Sequence, residues 1–300
     1  MKEHVKTQRD LVVIAANPYS GSLDNRPRVE HLGRALERQA LTYRILWHAE
    51  ERAAFWHDRG ARERCCCIVA AGGDGTVGMV LNEQLAAPLA VLPLGTENLF
   101  AREFGFPINP EALAALIAGG QSRRIDLARV GNRRFALMLS AGFDAAVVHR
   151  MGQWRSDGKG VKRITRTAYV RPVVDTLIHY DYPEIEVWAD GETARGRHVF
   201  VFNVSRYAVN LQLAPDARDN DGCLDWVVLQ KPGRLNIAAY AAAALRGRLD
   251  RCQGVRSGKA REVRLQSNMP VPVQIDGDPT GVTPVAVTVE PQCLDIIVPK

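Results

Sequence analysis

The stretch Cys65-Cys66-Cys67-Ile68-Val69-Ala70-Ala71-Gly72-Gly73-Asp74-Gly75-Thr76-Val77 decides how the chain is read. A short apolar run ends on two glycines, and a helix-compatible segment containing Val80, Leu81 and Leu85 follows. That order predicts a buried strand, a tight turn and a helix. Glycines at such a turn let backbone N–H groups approach an anion while the next helix presents its positive end, so a phosphate suits this place. Asp74 is the informative residue. A carboxylate beside phosphate is repulsive unless it holds a metal ion or accepts a hydrogen bond from the glycine backbone, and a magnesium nucleotide resolves the conflict.

Two more loops repeat the arrangement. Pro93-Leu94-Gly95-Thr96-Glu97-Asn98 follows the apolar run Leu89–Leu92, and Asn17-Pro18-Tyr19-Ser20-Gly21 follows Leu11–Ala16. Each alone reads equally well as a structural turn. Three on the carboxyl edge of one parallel sheet describe a ligand crevice. Around them, short apolar runs alternate with helical patterns. Val29, Leu32, Leu36 and Ala40 mark one helix face, Thr42–Trp47 a further strand, and Asn109, Pro110 and Gly119 the cap, first turn and end of another helix.

After Arg124 the texture turns to hairpins. Arg124–Val130 and Arg133–Ser140 flank a Gly131-Asn132 turn, and Glu184–Ala189, His198–Val204, Leu224–Leu229, Val271–Ile275 and Thr283–Val289 are rich in β-formers. One alanine-rich helix, Leu235–Leu245, interrupts them. Three hundred residues exceed the usual limit of one hydrophobic core. The expectation is an α/β nucleotide domain over 1–124 followed by a β domain over 125–292.

Near the end, Ile275-Asp276-Gly277-Asp278 sets two carboxylates about a glycine at a strand end. It reads either as a hairpin turn or as the seat of a general base for an acceptor hydroxyl. Asp216, Asp219, Asp221 and Asp225 gather about Gly222 without the spacing of an EF-hand, leaving an Asx turn and a magnesium site both open. The seven histidines show no paired ligand spacing. Six cysteines, three of them adjacent, match neither a disulfide framework nor a zinc site and point to a reducing cytoplasm.

A net charge of +6 leaves the partner open, but its distribution does not. Arg150, Arg155, Lys159, Lys162, Arg163, Arg166 and Arg171 face a single acid, Asp157, with Trp154 and Tyr169 interleaved. This is a solvated helix face or a surface for anionic lipid headgroups. No apolar run, Ile237–Leu245 included, approaches the roughly 18 residues of a membrane-spanning helix.

Taken in order, NPYSG (17–21), GGDGT (72–76), PLGTEN (93–98), SAGFDA (140–145), DNDG (219–222) and IDGD (275–278) resemble the diacylglycerol kinase catalytic family over nearly the whole chain. The resemblance implies a phosphofructokinase-like, doubly wound α/β domain, completed by 293–300, then a β-sandwich, with catalysis in the cleft between them. It implies ATP- and magnesium-dependent transfer to a lipid hydroxyl, diacylglycerol or a similar lipid. It places the nucleotide against Asn17, Gly72, Gly73, Asp74, Gly75, Thr76, Gly95, Thr96 and Asn98. Asp276 would be the base, with Asp278 assisting and Asp74 beside them in catalysis. Asp219 and Asp221 would hold a structural magnesium, with Asp126 in the same acidic network. The partners implied are a lipid and the inner face of an anionic membrane, not nucleic acid. Bacterial members are often dimers, which makes a homodimer the expectation. Two departures stand out: Leu99 where many members have Asp, and Gly78 where Asn is usual after GGDGTV. The alternatives are a NAD kinase-like enzyme, sharing GGDGT, and a nucleotide- or lipid-binding protein with weak catalysis.

Overall fold

The computed structural model describes residues 9–18, 20–21, 24–83, 87–156, 170–207 and 211–299. The chain divides into two compact units, Met1–Arg124 with Leu294–Lys300, and Ile125–Cys293.

The first unit runs β1 (Leu11–Ala16), α1 (Arg26–Arg38), β2 (Thr42–Leu46), α2 (Ala49–His57), α3 (Arg59–Arg64), β3 (Cys65–Gly72), α4 (Asp74–Leu81), β4 (Leu89–Pro93), α5 (Leu99–Glu103) and α6 (Pro110–Gly119). The strands pair in parallel in the order β2, β1, β3, β4, and Ile296 from the end of the chain pairs with Leu89 beyond β4. β1 and β3 are buried along nearly their whole length, which is why they read as continuous apolar runs rather than alternating ones. The winding reverses between β1 and β3, and such a reversal opens a crevice at the strands' carboxyl ends. Leu85, assigned above to the helix face of α4, falls outside the described residues, and Ala40 lies past the end of α1 at φ +60°.

The second unit continues with β5 (Ser122–Val130), β6 (Arg133–Phe135), β7 (Met138–Ala141), α7 (Phe143–Ser156), α8 (Val170–His179), β8 (Ile185–Ala189), β9 (Glu192–Gly196), β10 (His198–Phe202), β11 (Leu224–Leu229), α9 (Arg234–Leu245), β12 (Val255–Ala260), β13 (Glu262–Gln266), β14 (Pro272–Ile275), β15 (Asp278–Val282) and β16 (Val285–Ile297). One antiparallel sheet has the order β12, β11, β10, β7, β14, β15, and the facing layer runs through β16, β13, β8 and β9. Between them lies an apolar core. Val199, Val201 and Trp226 come from one sheet, and Val187, Val263 and Val287 from the other, all almost fully buried. Each such side chain contributes about 2 kcal/mol of burial free energy, so the unit is a β-sandwich held by its inner faces.

The single strand expected over Arg133–Ser140 is two strands in two sheets. β6 closes the Gly131-Asn132 hairpin against β5, whereas β7 pairs with β10 and β14. The chain changes layer at Ala136 and Leu137, and their backbone N–H groups leave the ladder there.

Candidate functional site

In the first unit the three glycine-bearing loops meet at the carboxyl ends of β1, β3 and β4. Asn17 N–H donates to Ala71 O at 3.0 Å, and Leu94 N–H donates to Gly72 O at 2.9 Å. Ser20 Oγ lies 3.4 Å from Thr76 Oγ1. The glycines do different jobs. A Cβ on Gly72 would stand 2.1 Å from Thr76 Oγ1, and one on Gly95 would stand 2.5 Å from Gly73 Cα, so these three positions are demanded by close approach. Among the described residues nothing lies within 4 Å of a Cβ added to Gly75. None of them crowds the opening turn of α4 on that side, which suits a phosphate-binding turn.

Two residues expected at the nucleotide are bound to the protein itself. The Asn98 side chain accepts from Gly95 N–H at 2.8 Å and donates to Gly95 O at 2.9 Å, closing the second loop on itself at a left-handed φ of +50°. The Asp74 carboxylate accepts from Leu99 N–H and Phe100 N–H, both at 3.0 Å. It thus caps α5, the helix after the second loop. Burial raises the Asp74 pKa above the usual carboxylate value and the nearby Glu97 adds to this, with the two amides opposing. Its partners are the amides of the following helix. The same contact bears on Leu99, since its N–H rather than its side chain serves the carboxylate.

In the second unit, Asp276 and Gly277 form the two-residue turn between β14 and β15, both with positive φ (+49° and +85°), and Ile275 faces Asp278 across it. The hairpin reading of IDGD is thus borne out as geometry, with Asp-Gly supplying the turn that such a loop requires. The carboxylate has a second task. Asp276 Oδ1 accepts from Leu137 N–H (3.1 Å) and Met138 N–H (2.8 Å), and Oδ2 accepts from Ala136 N–H (3.1 Å). These are the amides that the chain frees on crossing from β6 to β7. Asp278 instead pairs with Arg133 at 3.0 Å and is half exposed.

The acidic loop does not present a metal cage. Asp221 Oδ2 accepts from the Lys259 ammonium at 2.6 Å, and Asp225 lies 3.3 Å from the same group. Asp221 Oδ1 closes its own Asx turn with Cys223 N–H at 3.1 Å. Among the described residues no group of three or more His, Cys, Asp or Glu is placed to hold a metal ion. The donor set around Asp219 and Asp221 therefore does not fit the structural magnesium: a lysine already supplies the positive charge. Asp126, wholly buried, accepts from Gly222 N–H and Gln292 N–H at 2.7 Å each and donates its own N–H to Asp219 O at 2.6 Å. It anchors this loop.

The three adjacent cysteines are free thiols in β3, and burial pushes Cys65 up to about 12, as befits small hydrophobes rather than a redox pair. Most of the basic segment falls on residues 157–169, outside those described. On either side of it, Arg171 lies over the Trp154 ring at 4.7 Å, and Val170, Val174 and Ile178 form an exposed row on α8. No helix among the described residues is long and apolar enough to cross a membrane. Sequence reasoning passed over Asp144, Gln274 and Tyr207, which share one polar cluster. Asp144 stood in plain view within SAGFDA, whereas Gln274 and Tyr207 carry no motif signal.

Comparison with known proteins adds the following. Residues 10–130 match the diacylglycerol kinase catalytic domain model, and residues 138–298 match that of the YegS C-terminal NAD kinase beta sandwich-like domain. A diacylglycerol kinase of Bacillus subtilis (strain 168) is 29% identical over 228 residues, covering 72% of each chain. One of Mycobacterium tuberculosis (strain ATCC 25618 / H37Rv) is 27% identical over 245 residues, covering 78% of this chain and 77% of its own. A solved diacylglycerol kinase structure from Bacillus anthracis str. Sterne covers 97% of both chains with a TM-score of 0.69 and 19% identity. A second solved chain from that strain covers 100% of this chain and 98% of its own, with a TM-score of 0.76 and 20% identity. At that identity the structural likeness speaks for the fold.

Proposed function

Because the chain belongs to the diacylglycerol kinase catalytic family and is a lipid kinase, we propose that it moves the γ-phosphate of magnesium ATP to the hydroxyl of diacylglycerol or a similar lipid. The observation that carries the nucleotide half is the convergence of three loops at the sheet's switch point, with none of the described residues crowding Gly75 at the start of α4. The nucleotide's own phosphate oxygens and water would supply most ligands of its magnesium ion, as is usual for that metal. When bound, the ion offsets charge on the phosphates.

For the acceptor, Asp276 is the base. Lipid hydroxyls barely ionise at neutral pH, so a fixed carboxylate that takes the proton as the oxygen attacks the γ-phosphorus lowers the barrier. The proton goes to the Asp276 carboxylate, the P–O bond to the β-phosphate breaks, and ADP leaves. What supports this is the fixed position of the carboxylate, held by three backbone amides at the end of the β14–β15 hairpin.

The membrane is the partner that holds such substrates. The row Val170, Val174 and Ile178, flanked by Arg171 and by the basic sequence before it, favours docking of α8 on an anionic bilayer.

The test is phosphate transfer from labelled ATP to diacylglycerol, other lipid fractions and NAD, with wild type and Asp276→Asn. Wild type is expected to label a lipid fraction, and the variant to turn over about 100- to 10,000-fold more slowly per folded molecule. Labelling of NAD alone overturns the lipid reading. Near-normal turnover of the variant overturns the base. Asparagine turns an NH2 towards the Ala136 or Leu137–Met138 amides, so the variant is also expected to lose about 1–3 kcal/mol of stability, and rates must be referred to folded protein.

A further inference from the structure

Helix α9 is apolar on both of its sides, yet only one of them is covered. On the inner side Tyr240, 4% exposed, donates through its hydroxyl to Gly254 O at 3.2 Å and accepts from Lys231 N–H at 3.3 Å, and Ala244 beside it is fully buried. With about 3.6 residues per turn, the opposite side carries Ala238 and Ala242, with Leu235 near one end and Leu245 at the other. Leu235 is 84% exposed and Leu245 61%. The helix has one charged residue, Arg234, and it comes first. A surface helix ordinarily turns polar and charged residues outward, and a helix apolar all round belongs where both sides are covered. The outer side of α9 therefore calls for a partner.

Charge selects that partner. Between 231 and 251 the chain carries Lys231, Arg234, Arg246, Arg248 and Arg251 against a single acid, Asp250. All five cations are exposed, and they stand before and after the apolar side rather than on it. A second copy laid antiparallel on this side would bring Arg234 against Arg246 and Arg248, and a parallel one would bring like onto like, so self-pairing is opposed. Nucleic acid would satisfy the cations and leave the leucines in water. An anionic bilayer takes both, the headgroups meeting the arginines and the acyl boundary the leucines. At 12 residues, about 18 Å, the helix is too short to span a bilayer and would lie along its surface.

We propose that α9 is a second membrane-docking helix, lying flat in the headgroup region of an anionic bilayer with Leu235 and Leu245 inserted and Arg234, Arg246 and Arg248 on the lipid phosphates. This goes beyond docking through α8 and depends neither on it nor on the transfer chemistry. The two helices approach each other at one point. Burial raises the pKa of the Tyr182 hydroxyl and Arg234 opposes it, which sets the head of α9 near the segment that leaves α8. Two linked anchors hold a protein more tightly than either alone, and they fix its orientation where one anchor lets it pivot.

The experiment sediments the full chain with phosphatidylcholine vesicles containing or lacking phosphatidylglycerol, for wild type, Leu235→Glu with Leu245→Glu, Val174→Glu, and all three substitutions together. Thermal unfolding is followed alongside. The two α9 glutamates are expected to lower partition onto the anionic vesicles at least about 10-fold. The unfolding temperature should not change, since both leucines already face solvent. Added to Val174→Glu, they are expected to lower partition by a further factor of similar size, as independent sites do. Should the glutamates disturb folding, Arg246→Gln with Arg248→Gln is expected to weaken partition about 10- to 30-fold and leaves the helix interior untouched.

Partition unchanged by either pair of substitutions overturns the proposal, and a loss seen with Val174→Glu alone would then leave α8 as the single anchor. Equal binding of wild type to neutral and anionic vesicles, or none to either, overturns it as well. So does a wild-type dimer, measured by ultracentrifugation without vesicles, that the glutamates dissolve, because a second copy would then cover this side. Tighter binding to a short DNA duplex than to anionic vesicles would assign the cations to nucleic acid and overturn it too.

Discussion

Gly95 and Gly73 lie back to back, so close that a Cβ on Gly95 would stand 2.5 Å from the Cα of Gly73 and 2.9 Å from Asn98 Oδ1. Both obstacles are stiff: one is backbone, and the other is a side chain tied at both ends to Gly95 itself. The loops after β3 and β4 can keep this approach only while neither residue carries a side chain.

Gly95→Ala is therefore expected to force the two loops apart, lowering stability by about 1–3 kcal/mol and nucleotide affinity at least about 10-fold. Gly75→Ala is the contrast. With none of the described residues within 4 Å of it, the methyl group should leave stability within about 0.5 kcal/mol and weaken only ATP binding. Thermal unfolding and nucleotide titration on the pair decide the matter. Equal loss of stability in both would mean that Gly75 is there for packing.

Docking through α8 is expected to fade with salt and to need both charge and apolar surface. Vesicles rich in anionic lipid should bind the protein, with each basic residue near the bilayer contributing about 1 kcal/mol. Val174→Glu, at a position half exposed to solvent, should weaken that binding about 10-fold without changing the unfolding temperature. Sedimentation that ignores the substitution, the salt and the lipid charge would leave α8 as an ordinary solvated helix.

His198 gives the pH dependence. It is 3% exposed among the rings of Phe143 and Tyr182, its Nδ1 accepts from Phe143 N–H at 3.4 Å, and its Nε2 has no partner among the described residues. Burial, with Arg197 adding to it, lowers its pKa to about 4. The folded value lies below the unfolded one of about 6.5, so the unfolded chain binds the proton first as pH falls. Stability is complete above about pH 6.5 and is lost as pH drops towards about 4, by about 1 kcal/mol at pH 5.5 and up to about 3 kcal/mol at the limit. Urea unfolding of wild type against His198→Gln should show this slope in the first and a flatter one in the second. Parallel slopes would assign the acid sensitivity to other groups.

The loops of the first unit were legible because glycine and chain order carry them: a strand, two glycines and a helix start admit few conformations. The acidic residues were legible as positions and not as partners. Nothing in GGDGT says that Asp74 caps a helix beginning at Leu99, and nothing in DNDG says that Lys259 completes it, since both contacts are made by residues distant in sequence. The split of Arg133–Ser140 was hidden for a related reason. Its apolar residues run on without a turn signal, and the change of layer is fixed by Asp276, 140 residues from Ala136. Helices α7 and α8 were legible only as a possible helix face over 150–171, because β-branched residues, Gly152 and Pro172 argue against helix locally, while packing of Val147, Met151 and Thr176 overrides them.

The pairing of Ile296 with Leu89 places a strand from the end of the chain at the edge of the first unit's parallel sheet. A ribosome delivers Leu89 some two hundred residues before Ile296 arrives. Until then β4 is an edge strand with its outer N–H and C=O groups unpaired, the kind of surface that recruits other chains. The nucleotide loops are thus synthesised well before the strand that completes the sheet beneath them. Chains released before Ile296 would carry all three glycine-bearing loops on a sheet with an open side, prone to aggregate rather than to fold.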